Sequence, residues 1–149
     1  MFLKSSITLK SKSSKLNIIK LITVPVVTTN GQLCYMQNPD QIPFDVKRVY
    51  YIYGVSEGSI RGGHTHKATR QILFCINSSI KIIVDDGKDK EEILLDKPNV
   101  GILLEPGIWH EMRDFKKDTI LLVLASAIND SNDYIRNYED FLGTIYSNG

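Results

Sequence analysis

From residue 18 to residue 125 this chain is a succession of short β-forming runs punctuated by turn residues, and that rhythm admits few folds. Residues 18–27 and 33–36 flank Asn30-Gly31, a pair that favours a tight hairpin because both residues tolerate positive φ. Residues 48–53 are Arg-Val-Tyr-Tyr-Ile-Tyr, a strongly β-forming run after Pro43. Further runs lie at 71–76, 80–84, 92–95, 101–105 and 120–125, with the hairpin turn Asp85-Asp86-Gly87 between the second and third of these. Many short strands at regular spacing predict an all-β sandwich or jelly-roll barrel. One segment breaks the rhythm. Tyr134, Ile135, Tyr138, Phe141 and Leu142 recur at helical spacing. Asp130, Asn132 and Asp133 offer capping side chains and negative charge to the positive end of a helix dipole. A short C-terminal α-helix is therefore expected over about 130–142, with Gly143 as its stop.

The whole chain, 1–149, reads as a single domain, with residues 1–15, rich in Ser and Lys, as an N-terminal arm or an edge strand. A chain of this size buries roughly 68–70% of its unfolded surface, so it needs no disulfide or metal staple. Cys34 and Cys75 stand far apart, and Cys75 sits inside the apolar run 72–76, where a thiol acts as a small hydrophobe. The absence of a disulfide framework suits a reducing compartment. With a net charge of +1 there is no general attraction to nucleic acid. Lys20 and Pro25 interrupt the one early apolar stretch, so neither a signal peptide nor a membrane span is expected, and the cytoplasm is the default location.

All three histidines fall in two short stretches, Gly58-Ser-Ile-Arg61-Gly62-Gly63-His64-Thr65-His66 and the segment from Gly101 through Pro106-Gly107 to Trp109-His110. Side chains alternate along a strand, so His64 and His66 share a face. Glycines before them allow a backbone or a ligand to approach closely. An arginine three residues from an imidazole, Arg61, suits a phosphate or carbonyl oxygen. In the run 48–53, Arg48, Tyr50 and Ile52 share one face and Tyr51 and Tyr53 the other. Tyr51 and Tyr53 read as plain strand formers. Tyr50, beside Arg48, is a candidate hydrogen-bonding or proton-donating group.

The two histidine stretches resemble those of cupins. In a metal-binding cupin a glutamate separated from the second histidine by three or four residues completes the ligand set. Here those positions hold Arg70 and Gln71, and an arginine cannot ligate a metal. The resemblance narrows further through Lys47-Arg-Val-Tyr-Tyr-Ile52, Arg61-Gly-Gly-His-Thr-His-Lys67, Gln71, Asp85-Asp-Gly87, Gly101, Trp109-His-Glu-Met112, Val123-Leu-Ala-Ser126 and Asp133-Tyr-Ile-Arg136. Together these are similar to the nucleotide-sugar 3,4-ketoisomerases, over about residues 42–142.

That resemblance implies a cupin jelly-roll barrel, a homodimer often formed by exchange of N-terminal strands, and dTDP-4-keto-6-deoxy-glucose as substrate, with no metal and no cofactor. It implies that His64 and Tyr50 are catalytic and that Arg61 and His66 line the same site. Arg48, Gln71 and His110 join them as expected substrate-binding residues. The pathway implied is synthesis of 3-amino-3,6-dideoxyhexoses of surface polysaccharide, such as O-antigen of lipopolysaccharide. Position 110 is His in some relatives and Arg in others, and the His here leans the reading towards a galacto product. Departures from the family pattern occur at Asn30, at Asn77-Ser-Ser79 (a turn glycine replaced), and at Ala127 and Asn129 (an acid and a tyrosine lost). Rival readings are a metal-dependent cupin enzyme with His64, His66 and His110 as ligands, a 3,5-epimerase of nucleotide sugars, and a sugar-binding regulatory cupin.

Overall fold

A computed structural model of the protein describes residues 17–147. The expected N-terminal arm or exchanged edge strand, residues 1–15, lies outside the described residues. Among the described residues the first element is β1 (Lys20–Thr23), followed by the hairpin β2 (Val26–Thr28) and β3 (Gln32–Cys34). Thr28 pairs with Gln32, so the Asn30-Gly31 turn is a three-residue loop rather than a two-residue one, with both residues at positive φ. Next come β4 (Arg48–Ile52), β5 (Arg61–His66), β6 (Gln71–Asn77), β7 (Ile80–Asp85), β8 (Lys90–Leu95), β9 (Val100–Leu104), β10 (Trp109–Arg113) and β11 (Ile120–Ala125). A two-residue strand, β12 (Tyr134–Ile135), and one helix, α1 (Tyr138–Tyr146), complete the order.

The strands form two five-stranded antiparallel sheets, β1-β9-β6-β11-β4 and β12-β5-β10-β7-β8, with β2-β3 as a separate pair. Alternation divides each strand between an inner and an outer face. Leu73, Cys75, Ile82, Val84, Ile93, Leu121 and Val123 fill the space between the sheets. On the outer face of the first sheet, Ile72, Phe74, Leu103 and Leu124 pack against Ile42, Phe44 and Val24, with Cys34 and Met36 at the border. Position 78, where the usual turn glycine is replaced, carries Ser78 at φ 63 between β6 and β7. A side chain in the left-handed region costs about 1 kcal/mol. Ser78→Gly is therefore expected to raise the urea midpoint slightly, and a lowered midpoint would show that the hydroxyl contributes more than the strain costs.

The helix begins later than its spacing implies. Residues 131–133 form a 3-10 turn capped by Asp130, and Tyr134 and Ile135 are extended and pair with His66 and Thr65 of β5. The true cap is Asn137, whose side chain accepts from the Asp140 N–H, with Glu139 and Asp140 in the first turn. Gly143 lies inside the helix, which runs to Tyr146. Tertiary bonding overrides the local pattern: the Asp133 carboxylate is engaged by residues 66, 68 and 69, which pins the following residues to the sheet edge. Helix α1 then docks through Phe141, fully buried, against Trp109 of β10. The Tyr138 hydroxyl donates to Asp85 at 2.7 Å.

Candidate active site

The space between the sheets is apolar over much of its extent but turns polar at one region, where β4, β5, β6 and β10 contribute Arg48, Tyr50, His64, His66, Gln71 and His110. A cavity of about 510 Å³ opens there, lined by Arg48, Tyr50, Ile52, Arg61, Gly62, His64, Met112, Tyr134 and Arg136. That volume is in the range of small-molecule sites.

A β-bulge makes this lining possible. Strict alternation would put Arg61 and His64, three residues apart, on opposite faces. The pairing of β10 with β5 slips between His110↔His64 and Glu111↔Gly62, so Gly63 is the extra residue. Arg61 and His64 thereby reach the same cavity. Gly62 and Gly63 adopt φ of 80° and 71°, and a Cβ on Gly62 would meet the His110 carbonyl oxygen at 3.0 Å. The run of two glycines before the histidines is thus a backbone requirement of the site.

Three of the residues expected to bind substrate lie one layer behind the lining. His66 and His110 are 4% and 3% exposed, and Gln71 is 1% exposed. His64 meets His66 edge-on at 5.1 Å between ring centroids and His110 at 4.7 Å. Tyr134 covers His66 at 4.5 Å and touches His64 at 5.0 Å, which is why His66 does not reach the cavity. Gln71 donates through Nε2 to the Tyr50 hydroxyl at 2.9 Å. It crosses above Ala125, which pairs with Gln71 on one side and Arg48 on the other and is too small to intervene.

Two lining residues, Tyr134 and Arg136, escape a helical reading of their segment. The signal for them is the i, i+2 pattern of Tyr134-Ile-Arg136, which on a strand puts both on one face. Arg136 lies over the Tyr134 ring at 4.3 Å, and Arg48 over the Tyr50 ring at 5.2 Å. Arg48 Nε is buried without a hydrogen-bond partner. Such a donor calls for an anionic or carbonyl acceptor, and with Arg61 and Arg136 it makes the cavity a place for negative charge.

Burial dominates the titration of the cluster. It lowers His64 to about 4, helped by His66 and Arg136, and His110 to about 3, helped by His64 and His66. His66 is lowered as well, burial outweighing the opposing pull of Asp133. Burial raises the Tyr50 phenol, which stays protonated at neutral pH although Gln71 and Arg48 act the other way. The imidazoles are therefore neutral at physiological pH, and His64 offers a lone pair to the cavity. Folded His110 takes up its proton only near pH 3, whereas the unfolded side chain does so near 6.5. Between these values the unfolded state binds more protons, so this group's stabilising contribution falls by about 1.4 kcal/mol for each pH unit below about 6.5. His64 acts in the same direction. The expected result is a urea midpoint that drops steadily as the pH is lowered from neutrality towards about 5; a flat profile over that window would show that the imidazoles are not held neutral.

Among the described residues, no three His, Cys, Asp or Glu side chains are grouped to hold a metal ion. Arg70, at one of the positions that could have carried a fourth ligand, points outward and forms a bidentate pair with Glu105. Among the described residues, no helix is long and apolar enough to cross a membrane.

A two-sheet antiparallel barrel whose polar mouth gathers imidazoles, a tyrosine and arginines belongs to the cupin-like class. The family described as FdtA, WxcM-like, C-terminal, matches residues 14–145, and the chain belongs to that family. It is 44% identical, over 116 residues, to the TDP-4-oxo-6-deoxy-alpha-D-glucose-3,4-oxoisomerase of Aneurinibacillus thermoaerophilus, covering 78% of this chain and 84% of the relative. It superimposes with a TM-score of 0.86 on QdtA, a sugar 3,4-ketoisomerase from Thermoanaerobacterium thermosaccharolyticum in complex with TDP (38% identity, 90% of this chain and 98% of that one). A mutant of that enzyme in complex with TDP-4-keto-6-deoxyglucose gives a TM-score of 0.84 (39% identity, 87% and 95%).

Proposed function

We propose that this protein is a TDP-sugar 3,4-ketoisomerase, which moves the keto group of TDP-4-keto-6-deoxyglucose from C4 to C3 through an enediol. The observation that carries the reading is the juxtaposition in one cavity of a neutral imidazole, His64, a protonated phenol, Tyr50, and three arginines. The adjacent carbonyl acidifies the hydrogen on C3. His64 removes that proton as general base, and a positioned base of this kind contributes about 100- to 10,000-fold. Negative charge then develops on the C4 oxygen, where donors fixed in advance stabilise it. Tyr50 and Arg61 supply those donors, Tyr50 moves a proton between the two oxygens, and the His64 imidazolium gives its proton to C4, which leaves the carbonyl at C3. Arg48, with its open Nε–H, and Arg136 hold the diphosphate. The family's similarity to nucleotide-sugar isomerases supports the same substrate class.

The active unit is a homodimer. Val49, Tyr51 and Tyr53, on and just after the edge strand β4, are 57%, 63% and 69% exposed, an apolar face that a second copy would cover. The enzyme works in the cytoplasm, on the route to 3-amino-3,6-dideoxyhexoses of surface polysaccharide.

The test is to incubate the protein with TDP-4-keto-6-deoxyglucose in deuterated water and follow the sugar by NMR. Loss of the C3 hydrogen as the carbonyl appears there, with deuterium entering at C4, is the expected result. Label at C3 and C5 with the carbonyl still at C4 indicates the 3,5-epimerase, and binding without exchange indicates a sugar-binding module. The low value for His64 adds an expectation of its own: kcat/KM holds level as the pH falls from about 7 to about 5 and is lost only towards about 4. An acid limb centred near 6.5 would mean that the base is an ordinary, solvated imidazole.

A further inference from the structure

Behind the lining, one carboxylate gathers three contacts, and the backbone of the same residue adds a fourth. Asp133 Oδ1 accepts from the Ala68 backbone N–H at 2.8 Å. Its Oδ2 accepts from the Thr69 hydroxyl at 2.5 Å and lies 2.8 Å from His66 Nδ1. The Asp133 carbonyl takes the Lys67 N–H at 2.8 Å. Burial alone would raise this carboxyl, but Thr69, His66 and the Ala68 N–H together hold it below its ordinary value, so it is ionised. An ionised carboxylate has no hydrogen to give, so the bond to His66 requires the hydrogen on Nδ1. The other ring nitrogen, Nε2, is buried with no partner.

We propose that Asp133 is a positioning residue for the isomerase reaction, holding His66 as the Nδ1–H tautomer so that a bare Nε2 is kept in the cluster that backs His64. The inference rests on the ketoisomerase reading above. His64 becomes an imidazolium when it takes a proton, and that charge forms 5.1 Å, ring to ring, from His66. A lone pair in the cluster favours it, whereas an N–H there opposes it. The same carboxylate anchors the segment that carries Tyr134 and Arg136 into the cavity, since Tyr134 follows it directly and pairs with His66. Charge and register are thus set by one side chain.

The discriminating variant is Asp133→Asn. The Ala68 N–H is fixed in the backbone and must meet the amide oxygen. The amide nitrogen then faces Thr69 and His66, and it can only donate to Nδ1. The shape is kept and the tautomer is inverted, moving the hydrogen to Nε2. The expected outcome is a loss of about 100-fold in kcat, with KM and TDP affinity within about threefold. Ring-nitrogen NMR shifts of His66 should switch from Nδ1–H to Nε2–H. Thr69→Val removes one bond to the same carboxylate but leaves His66 as it is, and should keep kcat within about threefold of the parent. The proposal is overturned if the parent protein already shows Nε2–H at His66, if Asp133→Asn keeps Nδ1–H or keeps its kcat, or if Thr69→Val loses as much as Asp133→Asn. Failure of Asp133→Asn to fold leaves the parent's ring-nitrogen signal as the deciding readout. Absence of isomerase activity in the parent defeats the ketoisomerase reading instead, and the tautomer measurement distinguishes the two failures.

Discussion

His64→Asn lowers kcat by about 100- to 10,000-fold while TDP binds within about twofold of the parent affinity. The expectation follows from position. Of the three imidazoles, only His64 lines the cavity; His66 and His110 lie behind it, nearly sealed from solvent. No second base is poised to replace it, because burial keeps Tyr50 protonated and the arginines hold their charge. Asparagine keeps much of the shape and can hydrogen-bond, so the bulge at Gly63 and the diphosphate cations should be undisturbed. Single-turnover rates and TDP titration by calorimetry measure the two quantities separately. Parallel loss of rate and of affinity would mean that the ring holds the nucleotide sugar rather than taking its proton.

Phe141→Ala costs about 3–5 kcal/mol of stability, the largest single-site effect on folding expected here. Phe141 is wholly buried and is the only fully enclosed side chain of α1. It wedges against Trp109 at 5.5 Å and Tyr138 at 5.6 Å between ring centroids. Other ties of the helix to the sheet come from less buried side chains, among them Tyr138, which meets Trp109 edge-on and donates to Asp85, and Tyr146, which donates to the Gly87 carbonyl. A domain of ordinary stability has about 5–15 kcal/mol in total, so the loss removes a large share of it. Only Arg136 and Asn137 separate β12 from α1, so a freed helix also loosens Tyr134 and Arg136 at the cavity. The urea midpoint should fall sharply and kcat with it. A midpoint within about 1 kcal/mol of the parent would mean that the helix is not anchored through this ring.

The strands were readable from the chain because alternation survives in it: Leu73, Cys75, Leu121 and Val123 face inward and their neighbours outward. His64, Tyr50, Arg48 and Arg61 were readable as a constellation for the same reason. The convergence of Arg61 with His64 depends on the bulge at Gly63, and no periodicity rule encodes a register slip. Residues 130–137 were misread because their apolar spacing fits a helix while their conformation is decided by Asp133 reaching β5 and the loop after it. Local pattern carries no trace of a partner sixty-seven residues away. Tyr134 and Arg136 were hidden by that same error. The placement of His66, Gln71 and His110 behind the lining depends on Tyr134 and on the size of Ala125, which only the assembled barrel reveals.

Gln71 occupies a position where a glutamate would complete a cupin metal site, and its amide points at Tyr50. An amide nitrogen can only give a hydrogen, so it takes up a lone pair on the phenol and leaves the phenol's own hydrogen free for the sugar. A carboxylate in its place would claim that hydrogen and turn the tyrosine away from its task. The amide at position 71 is therefore what keeps the phenol's hydrogen turned to the cavity.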